Sequence, residues 1–195
     1  STGMANLDEV ASAVQSVMAE GCTECALLHC VSAYPADPGS VNLRAMDTLR
    51  GRFGGPVGFS DHTRGIEVAI AAAALGAELI EKHFTLSRNE RGPDHAVSLE
   101  SLELKVMIYA IRNVEKALGD GCKQPVEEER DVALAARRSL FTAVPLRAGT
   151  ALTAEMLVAR RPGTGLSPDR LDEWIGKTLQ RDVAAGELFD SDMVR

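Results

Sequence analysis

The alternation of strand-like and helix-like segments constrains the fold of this chain more than any other feature of its sequence. Short apolar runs bounded by turn residues predict buried strands, at residues 26–31, 56–59 and 78–84. Apolar residues at helical spacing predict helices before, between and after them, at residues 7–19, 42–50, 65–75 and 99–118. Because strands and helices alternate through short connections, we expect an α/β domain built on a parallel sheet.

The last of these helices has the clearest predicted boundaries. Ser98 is the expected N-cap, and Gly119 stands where a helix commonly ends. Its apolar residues form one stripe, at positions 99, 102, 106, 107, 110, 114, 117 and 118. We expect this stripe to pack against the core.

The composition changes after residue 119, which indicates a domain boundary. Residues 120–136 begin with a polar, acidic stretch that is typical of a linker. Residues 137–195 contain short apolar pieces separated by turn signals, and residues 144–152 resemble residues 183–188. We therefore predict a first domain over 1–119, a linker over 120–136 and a small, pseudo-symmetric domain of short strands over 137–195.

Charge and hydrophobicity exclude several classes of function. The 21 basic and 28 acidic residues give a net charge of -7, which repels nucleic acids and anionic lipid surfaces. The sequence has no apolar run long enough for a membrane span and begins with no signal-peptide pattern, so we expect a cytoplasmic protein with no membrane partner. Cys22 and Cys25 have CxxC spacing, but no second pair completes a zinc site, and we interpret them as reduced thiols.

Two histidines end neighbouring strands of the predicted sheet. His62 and His83 are 21 residues apart, one βα unit, so their rings should meet at the carboxyl edge of the sheet. Two histidines are often unrelated, but here Asp61 and Glu81 stand beside them. We take these two carboxylates as the catalytic residues, which would orient the ligands or bind the ion through water. The open positions of such a site suit Mn²⁺ or Mg²⁺ better than structural zinc.

Several polar residues follow the predicted strands. Ser1, Ser32 and Ser60 each come just after one, where hydroxyl groups commonly hold phosphate, although loop serines are equally often simple turn formers. Asp94 lies in a Gly-Pro-Asp loop just beyond the third strand, and the adjacent His95 could line the same pocket or lie in the loop. His29 lies inside an apolar strand and is interpreted as a hydrogen-bonded core histidine.

Short motifs in a fixed order resemble the sialic acid synthases and the related nonulosonic acid synthases. They are Ser-Thr-Gly-Met at 1–4, Leu-His-Cys at 28–30, Tyr-Pro at 34–35, Ser-Asp-His-Thr at 60–63, Glu-Lys-His-Phe-Thr at 81–85, Gly-Pro-Asp-His at 92–95, Arg-Ser-Leu at 138–140 and Arg-Pro-Gly-Thr-Gly at 161–165. The resemblance runs over the whole chain. It implies the C-terminal half of a (β/α)8 TIM barrel followed by a small β-rich antifreeze-like (SAF) domain.

The resemblance also implies a reaction, in which phosphoenolpyruvate condenses with an N-acetylmannosamine-type sugar and phosphate is released. Carried over by position, His62 and His83 would bind the divalent metal, Mn²⁺ first, with Mg²⁺ or Co²⁺ as alternatives. The remaining roles are substrate binding: phosphate at Ser1, Ser32 and Ser60, and the sugar at Tyr34, Asp94 and Arg161. The contact at Ser32 is the least secure, because relatives often have Asn there. Arg161 would reach the active site of a partner subunit, which implies a domain-swapped homodimer of the full-length protein.

The chain departs from the family pattern at its beginning. In the resembling family the barrel starts several strands earlier, and that part holds phosphate-binding lysines and a functional glutamate. We therefore expect the natural protein to start upstream of Ser1 and this chain alone to be inactive. Two alternatives stay open: a non-catalytic sugar-binding or degenerate protein, and an aldolase that uses Lys82 as a Schiff-base lysine. The sequence does not distinguish among the possible amino-sugar acceptors.

Overall fold

The computed structural model describes all 195 residues, and the chain divides into two compact units, Ser1–Cys122 and Lys123–Arg195. Each unit has its own hydrophobic core. Residues 120–136, predicted as a linker, contain a short helix, α5 (Arg130–Ala136), in the second unit. The sequence did not reveal this helix because acidic residues are concentrated just before it and in its first turn. Acidic residues are favourable at the start of a helix, but they are also typical of a linker.

The first unit contains the predicted parallel sheet. Its strands lie in the order β1 (Leu27–Cys30), β2 (Val57–Asp61) and β3 (Ile80–Lys82). The helices are α1 (Leu7–Ala19), α2 (Ala45–Phe53), α3 (Glu67–Ala74) and α4 (Ser101–Leu118). The predicted type and order of these elements are confirmed.

The first helix has the bounds that its sequence predicts, because its ends carry explicit signals. The Asn6 side chain accepts hydrogen bonds from the backbone N–H groups of Asp8 and Glu9, and the Glu9 carboxylate accepts one from the N–H of Asn6. This reciprocal capping satisfies donors that the first turn would otherwise leave unpaired. Gly21, just past the end, has a positive φ that suits glycine.

Single residues form backbone contacts at both edges of the sheet. At the β1 edge, Thr2 donates a backbone hydrogen bond to the carbonyl of Leu28 at 2.9 Å. At the other edge Leu99 pairs in parallel with Phe84. The predicted helix start is therefore wrong. Leu99 is extended and buried. It was assigned to the helix because its spacing from the apolar residues of α4 matches the helical repeat.

The helix α4 begins two residues later than predicted. The carboxylate of Glu103 accepts a hydrogen bond from the backbone N–H of Glu100 at 3.0 Å, so Glu100 occupies the capping position. Ser98, the predicted N-cap, instead donates its hydroxyl to the carbonyl of Asp94 at 2.7 Å.

The buried face of α4 also differs from the predicted stripe. Met107 is buried against Ala69 and Leu99, with Leu104 and Ile111 partly buried beside it. Leu102 is 72% exposed. The face that packs on α3 is therefore displaced around the helix toward Leu104 and Ile111, which the predicted stripe did not include.

The core beneath the sheet is built around β2. Val57 and Phe59 are almost fully buried and pack with residues of α1, α2 and α3, namely Val10, Met46, Leu49 and Ala72. Gly58 lies between them in sequence and faces the opposite side of the sheet.

The second unit is a small domain of short strands and turns. The strands β4 (Ser139–Thr142) and β5 (Leu157–Arg160) pair antiparallel over a core that includes Leu140, Trp174 and Phe189. Leu146 and Val183 exchange both backbone hydrogen bonds, at 3.0 and 2.9 Å. Leu146 and Val183 belong to the two similar segments of the sequence, 144–152 and 183–188, so the weak internal repeat corresponds to two segments that pair with each other.

Short 3-10 helices complete both units, at Pro38–Ser40, His95–Val97, Glu127–Glu129, Ala154–Met156, Pro168–Glu173 and Ser191–Met193. None of the helices in the chain combines the length and the apolar character that crossing a membrane requires.

Candidate active site

His62 and His83 meet at the carboxyl ends of β2 and β3, as their spacing predicts. Each histidine directly follows the last residue of its strand. The ring centroids are 5.2 Å apart and the ring planes are inclined by 71°. An ion bound by both imidazoles needs the two rings at about this separation, since each nitrogen lies roughly 2.0–2.1 Å from a metal such as zinc.

The surroundings of His62 leave one ring nitrogen available. Its Nδ1 lies 3.1 Å from the carbonyl oxygen of Val31. A carbonyl only accepts hydrogen bonds, so in the neutral ring Nδ1 carries the hydrogen and Nε2 has the lone pair that a metal would need. A hydrogen bond from one ring nitrogen to a backbone carbonyl is the usual arrangement of a metal-binding histidine. The donor chemistry therefore fits a divalent metal ion.

The number of protein ligands is small. No group of three or more His, Cys, Asp and Glu side chains is arranged to hold a metal ion. Asp94 lies nearby, with Oδ2 at 3.8 Å from Nδ1 of His83, which is too long for a hydrogen bond. The two-histidine metal site stays a prediction, with most coordination positions left to water or substrate.

Tyr34 closes one side of the histidine pair. Its ring centroid lies 4.3 Å from that of His62 and 5.6 Å from that of His83, and the residue is 54% exposed. The structure thus brings together Tyr34 and Asp94, the two residues of this unit that were expected to contact the sugar, around the histidines.

The two predicted catalytic carboxylates have different environments. Glu81 is exposed and accepts a hydrogen bond from the hydroxyl of Ser60 at 2.6 Å. The side chain of Asp61 has no exposed surface and forms an ion pair of 2.7 Å with Lys82. That burial fits a residue that orients its neighbours better than one that contacts a substrate.

The three serines expected to hold phosphate are not equivalent. Ser60 is buried, and its hydroxyl proton is directed at Glu81. Ser32 lies against the start of the chain, so closely that a Cβ atom on Gly3 would be 2.1 Å from its Oγ. Ser1 is exposed. Their phosphate contacts stay predictions.

The remaining candidate residues form hydrogen bonds of their own. His29 Nε2 is 2.6 Å from the carbonyl oxygen of Val41, so His29 is hydrogen-bonded as predicted, although it is only partly buried. The Nδ1 atom of His95 lies 2.7 Å from the hydroxyl of Thr85. Arg161 belongs to the second unit, where its Nε donates to the carbonyl of Ala136 at 3.1 Å. The predicted sugar contact of Arg161 stays a prediction.

The environment of Lys82 argues against a Schiff-base role. Its Nζ donates to Asp61 at 2.7 Å and to the carbonyl of Thr63 at 2.8 Å, and its side chain is 3% exposed. A Schiff-base lysine attacks a carbonyl through a free lone pair, which an ammonium group held by a carboxylate does not offer.

Sequence reasoning missed the two cross-strand pairs themselves. Ser60 contacts Glu81 and Asp61 contacts Lys82, each across the same 21-residue offset that relates the two histidines. Applying that offset to the neighbouring residues would have found both pairs, because the register of parallel strands carries over from one residue to the next.

Comparison with known proteins identifies the family. Residues 1–123 match the NeuB family. The chain belongs to this family. Residues 137–195 match the SAF domain, which confirms the predicted resemblance over both parts of this NeuB-family chain.

Relatives of the chain include named synthases. The N,N'-diacetyllegionaminic acid synthase of Campylobacter jejuni is 43% identical over 191 residues, which cover 97% of this chain and 57% of that protein. Human N-acetylneuraminate-9-phosphate synthase is 34% identical over 198 residues, which cover 98% of this chain and 55% of that protein. The chain thus spans little more than half the length of these relatives.

The fold is also shared with a solved structure. The spore coat polysaccharide biosynthesis protein SpsE of Bacillus subtilis aligns with a TM-score of 0.55 and 34% sequence identity. The alignment covers 98% of this chain and 59% of that structure.

Proposed function

We propose that this chain is part of a nonulosonic acid synthase, which condenses phosphoenolpyruvate with an N-acetylmannosamine-type amino sugar and releases phosphate. The observation that carries the proposal is the meeting of His62 and His83, beside Tyr34, at the carboxyl ends of the strands in a NeuB-family chain. Its relatives include synthases of legionaminic acid and of N-acetylneuraminate 9-phosphate, which supports the same reaction class.

The proposal includes a larger fold, in which residues 1–119 form the C-terminal half of a (β/α)8 barrel. Contacts at both edges of the sheet support it. Leu99 pairs in parallel with Phe84 beyond β3, and the backbone of Thr2 is hydrogen-bonded to β1 at the other edge. Active sites of such barrels lie at the carboxyl ends of the strands, where the histidines are.

A divalent ion bound by His62 and His83, Mn²⁺ first among the candidates, would polarise the aldehyde oxygen of the sugar. Around it, the half-exposed ring of Tyr34 would form one wall of the sugar pocket and keep water from the histidines. The Asp94 carboxylate, whose Oδ2 is 3.8 Å from Nδ1 of His83, would accept a hydrogen bond from a sugar hydroxyl. Glu81, held by Ser60, would accept a proton from water or orient the ion's water ligands.

The second unit would supply Arg161. Only its Nε contacts the protein, at the carbonyl of Ala136, so the terminal nitrogen atoms remain available to donate to a sugar amide. We propose that this contact is made in the partner subunit of a domain-swapped homodimer, with the SAF domain as a cover.

The decisive experiment begins with the coding DNA upstream of Ser1. We expect an in-frame extension that encodes the missing strands, and we expect the encoded full-length protein to release phosphate only when phosphoenolpyruvate and an amino sugar are both present. N-acetylmannosamine, its 6-phosphate and a diacetamido sugar would be compared as acceptors. Absence of phosphate release with all three, combined with retained sugar binding, would contradict the proposal and favour a non-catalytic sugar-binding protein.

A further inference from the structure

We propose that the buried ion pair between Asp61 and Lys82 positions His62 and His83 so that the two imidazoles can share one ion. Neither residue would contact substrate. Each directly precedes a histidine, and the two are register partners at the ends of β2 and β3. The inference rests on the metal site proposed above and names the residues that build it.

A closed set of hydrogen bonds surrounds His62. Lys82 Nζ donates to Asp61 Oδ2 at 2.7 Å and to the carbonyl of Thr63 at 2.8 Å. The backbone N–H and the hydroxyl of Thr63 both donate to Asp61 Oδ1, each at 2.8 Å. His62 lies between Asp61 and Thr63 in sequence, so its backbone is held on both sides. The lysine that completes the set is the residue before His83.

A second cross-link acts one residue earlier. Ser60 donates to Glu81 at 2.6 Å, and successive residues of a strand face opposite sides of the sheet. The ends of β2 and β3 are therefore joined on both faces immediately before the histidines. A shift of one strand relative to the other would break both links together.

Stability alone is a weak reason for such a pair. The side chains of Lys82 and Asp61 are 3% and 0% exposed, and the cost of removing two charges from water commonly offsets their attraction. Apolar residues of similar volume often serve a core equally well. An ion pair adds a fixed geometry, which a two-histidine site needs because few other protein ligands hold the ion.

The test uses the double variant Asp61→Asn/Lys82→Met, which removes both charges without leaving one buried and unpaired. Mn²⁺ binding to the chain would be measured by electron paramagnetic resonance. We expect the double variant to bind Mn²⁺ about 10–100-fold more weakly, the range typical of changes to groups that orient metal ligands. Met107→Ala is the matched control, since it destabilises the same unit without touching the pair, and we expect it to bind like the original chain. Equal affinity in the double variant and the original chain would overturn the proposal.

A substitute variant and a second measurement keep the proposal testable if the double variant does not fold. If amide hydrogen exchange indicates that β2 is unfolded in the double variant, Thr63→Val takes its place. It is nearly isosteric and removes one hydrogen bond to Asp61, so a smaller loss of affinity is expected, and no loss would again contradict the proposal.

The second measurement needs no metal. Nitrogen-15 NMR of the histidines should find His62 as a single tautomer with hydrogen on Nδ1 in the original chain, and a mixture in the double variant. An unchanged tautomer would count against a positioning role. Failure of the original chain to bind Mn²⁺, with the tautomer still dependent on the pair, would refute the metal site and leave the positioning role intact.

Discussion

Gly58 in β2 passes so close to Leu79 that a Cβ atom at position 58 would lie 2.4 Å from the carbonyl oxygen of Leu79. The same atom would lie 2.5 Å from Cδ2 of Leu28 on the other neighbouring strand. Glycine therefore allows β2 to fit between its neighbours, and this spacing sets the distance between the strand ends that carry His62 and His83.

Substitution of Gly58 by Ala should destabilise the first unit by about 3 kcal/mol or more, because the new methyl group meets backbone that cannot move without shifting the next strand. Gly51→Ala is the control. It lies in α2 with open space around it, and the helix should gain roughly 0.5–1 kcal/mol of stability.

Urea unfolding followed by circular dichroism would compare the stabilities of the Gly58 and Gly51 variants. The single tryptophan, Trp174, reports on the second unit, and its fluorescence transition should not move. A Gly58→Ala chain as stable as the original would show that the strands are further apart than described.

The packing of α4 gives a second prediction. Met107 is 4% exposed, so Met107→Ala should cost about 2–5 kcal/mol through lost contacts and the remaining cavity. Leu102→Ala, on the exposed side of the same helix, should change stability by no more than about 0.5 kcal/mol. The same unfolding measurement distinguishes the two faces. Equal costs would support the broad apolar stripe inferred from the sequence.

The second unit should lose stability in acid through Asp182. Its pKa is lowered by the hydrogen bond from the backbone N–H of Ala148 and by the guanidinium of Arg147. Because the pKa in the folded chain lies below the ordinary value of 3.8, the stabilisation is fully present above pH 3.8 and is lost as the pH falls through the folded value.

Asp182→Asn should therefore lower the melting temperature at pH 7, and the difference from the original chain should shrink as the pH falls below 3.8. Trp174 fluorescence during heating provides the measurement. Asp172→Asn, a change of the same kind at an exposed residue of the same unit, is the control and should leave the melting temperature at pH 7 unchanged. If the melting temperatures of Asp182→Asn and the original chain differed as much in acid as at pH 7, the charge of Asp182 would not be the source of the stabilisation.

The sequence predicted those features that depend on local signals. Apolar residues at helical spacing, with Gly21 after them, predicted the bounds of α1, and the 21-residue offset predicted that His62 and His83 meet. Features that depend on tertiary pairing escaped prediction. Leu99 fits the apolar spacing of α4 in the sequence, but it pairs with Phe84, and only that pairing reveals that it is extended. The Asp61–Lys82 pair was also missed, although the 21-residue offset between His62 and His83 applies to it as well.

The central claim is that His62 and His83 hold one divalent ion, and Mn²⁺ titration of the chain by electron paramagnetic resonance tests it most directly. The account predicts one Mn²⁺ per chain, lost in His62→Ala and in His83→Ala and retained in His29→Gln, which keeps a side-chain partner for the carbonyl of Val41. Binding that survives in both alanine variants, or that is absent from the original chain, would contradict it.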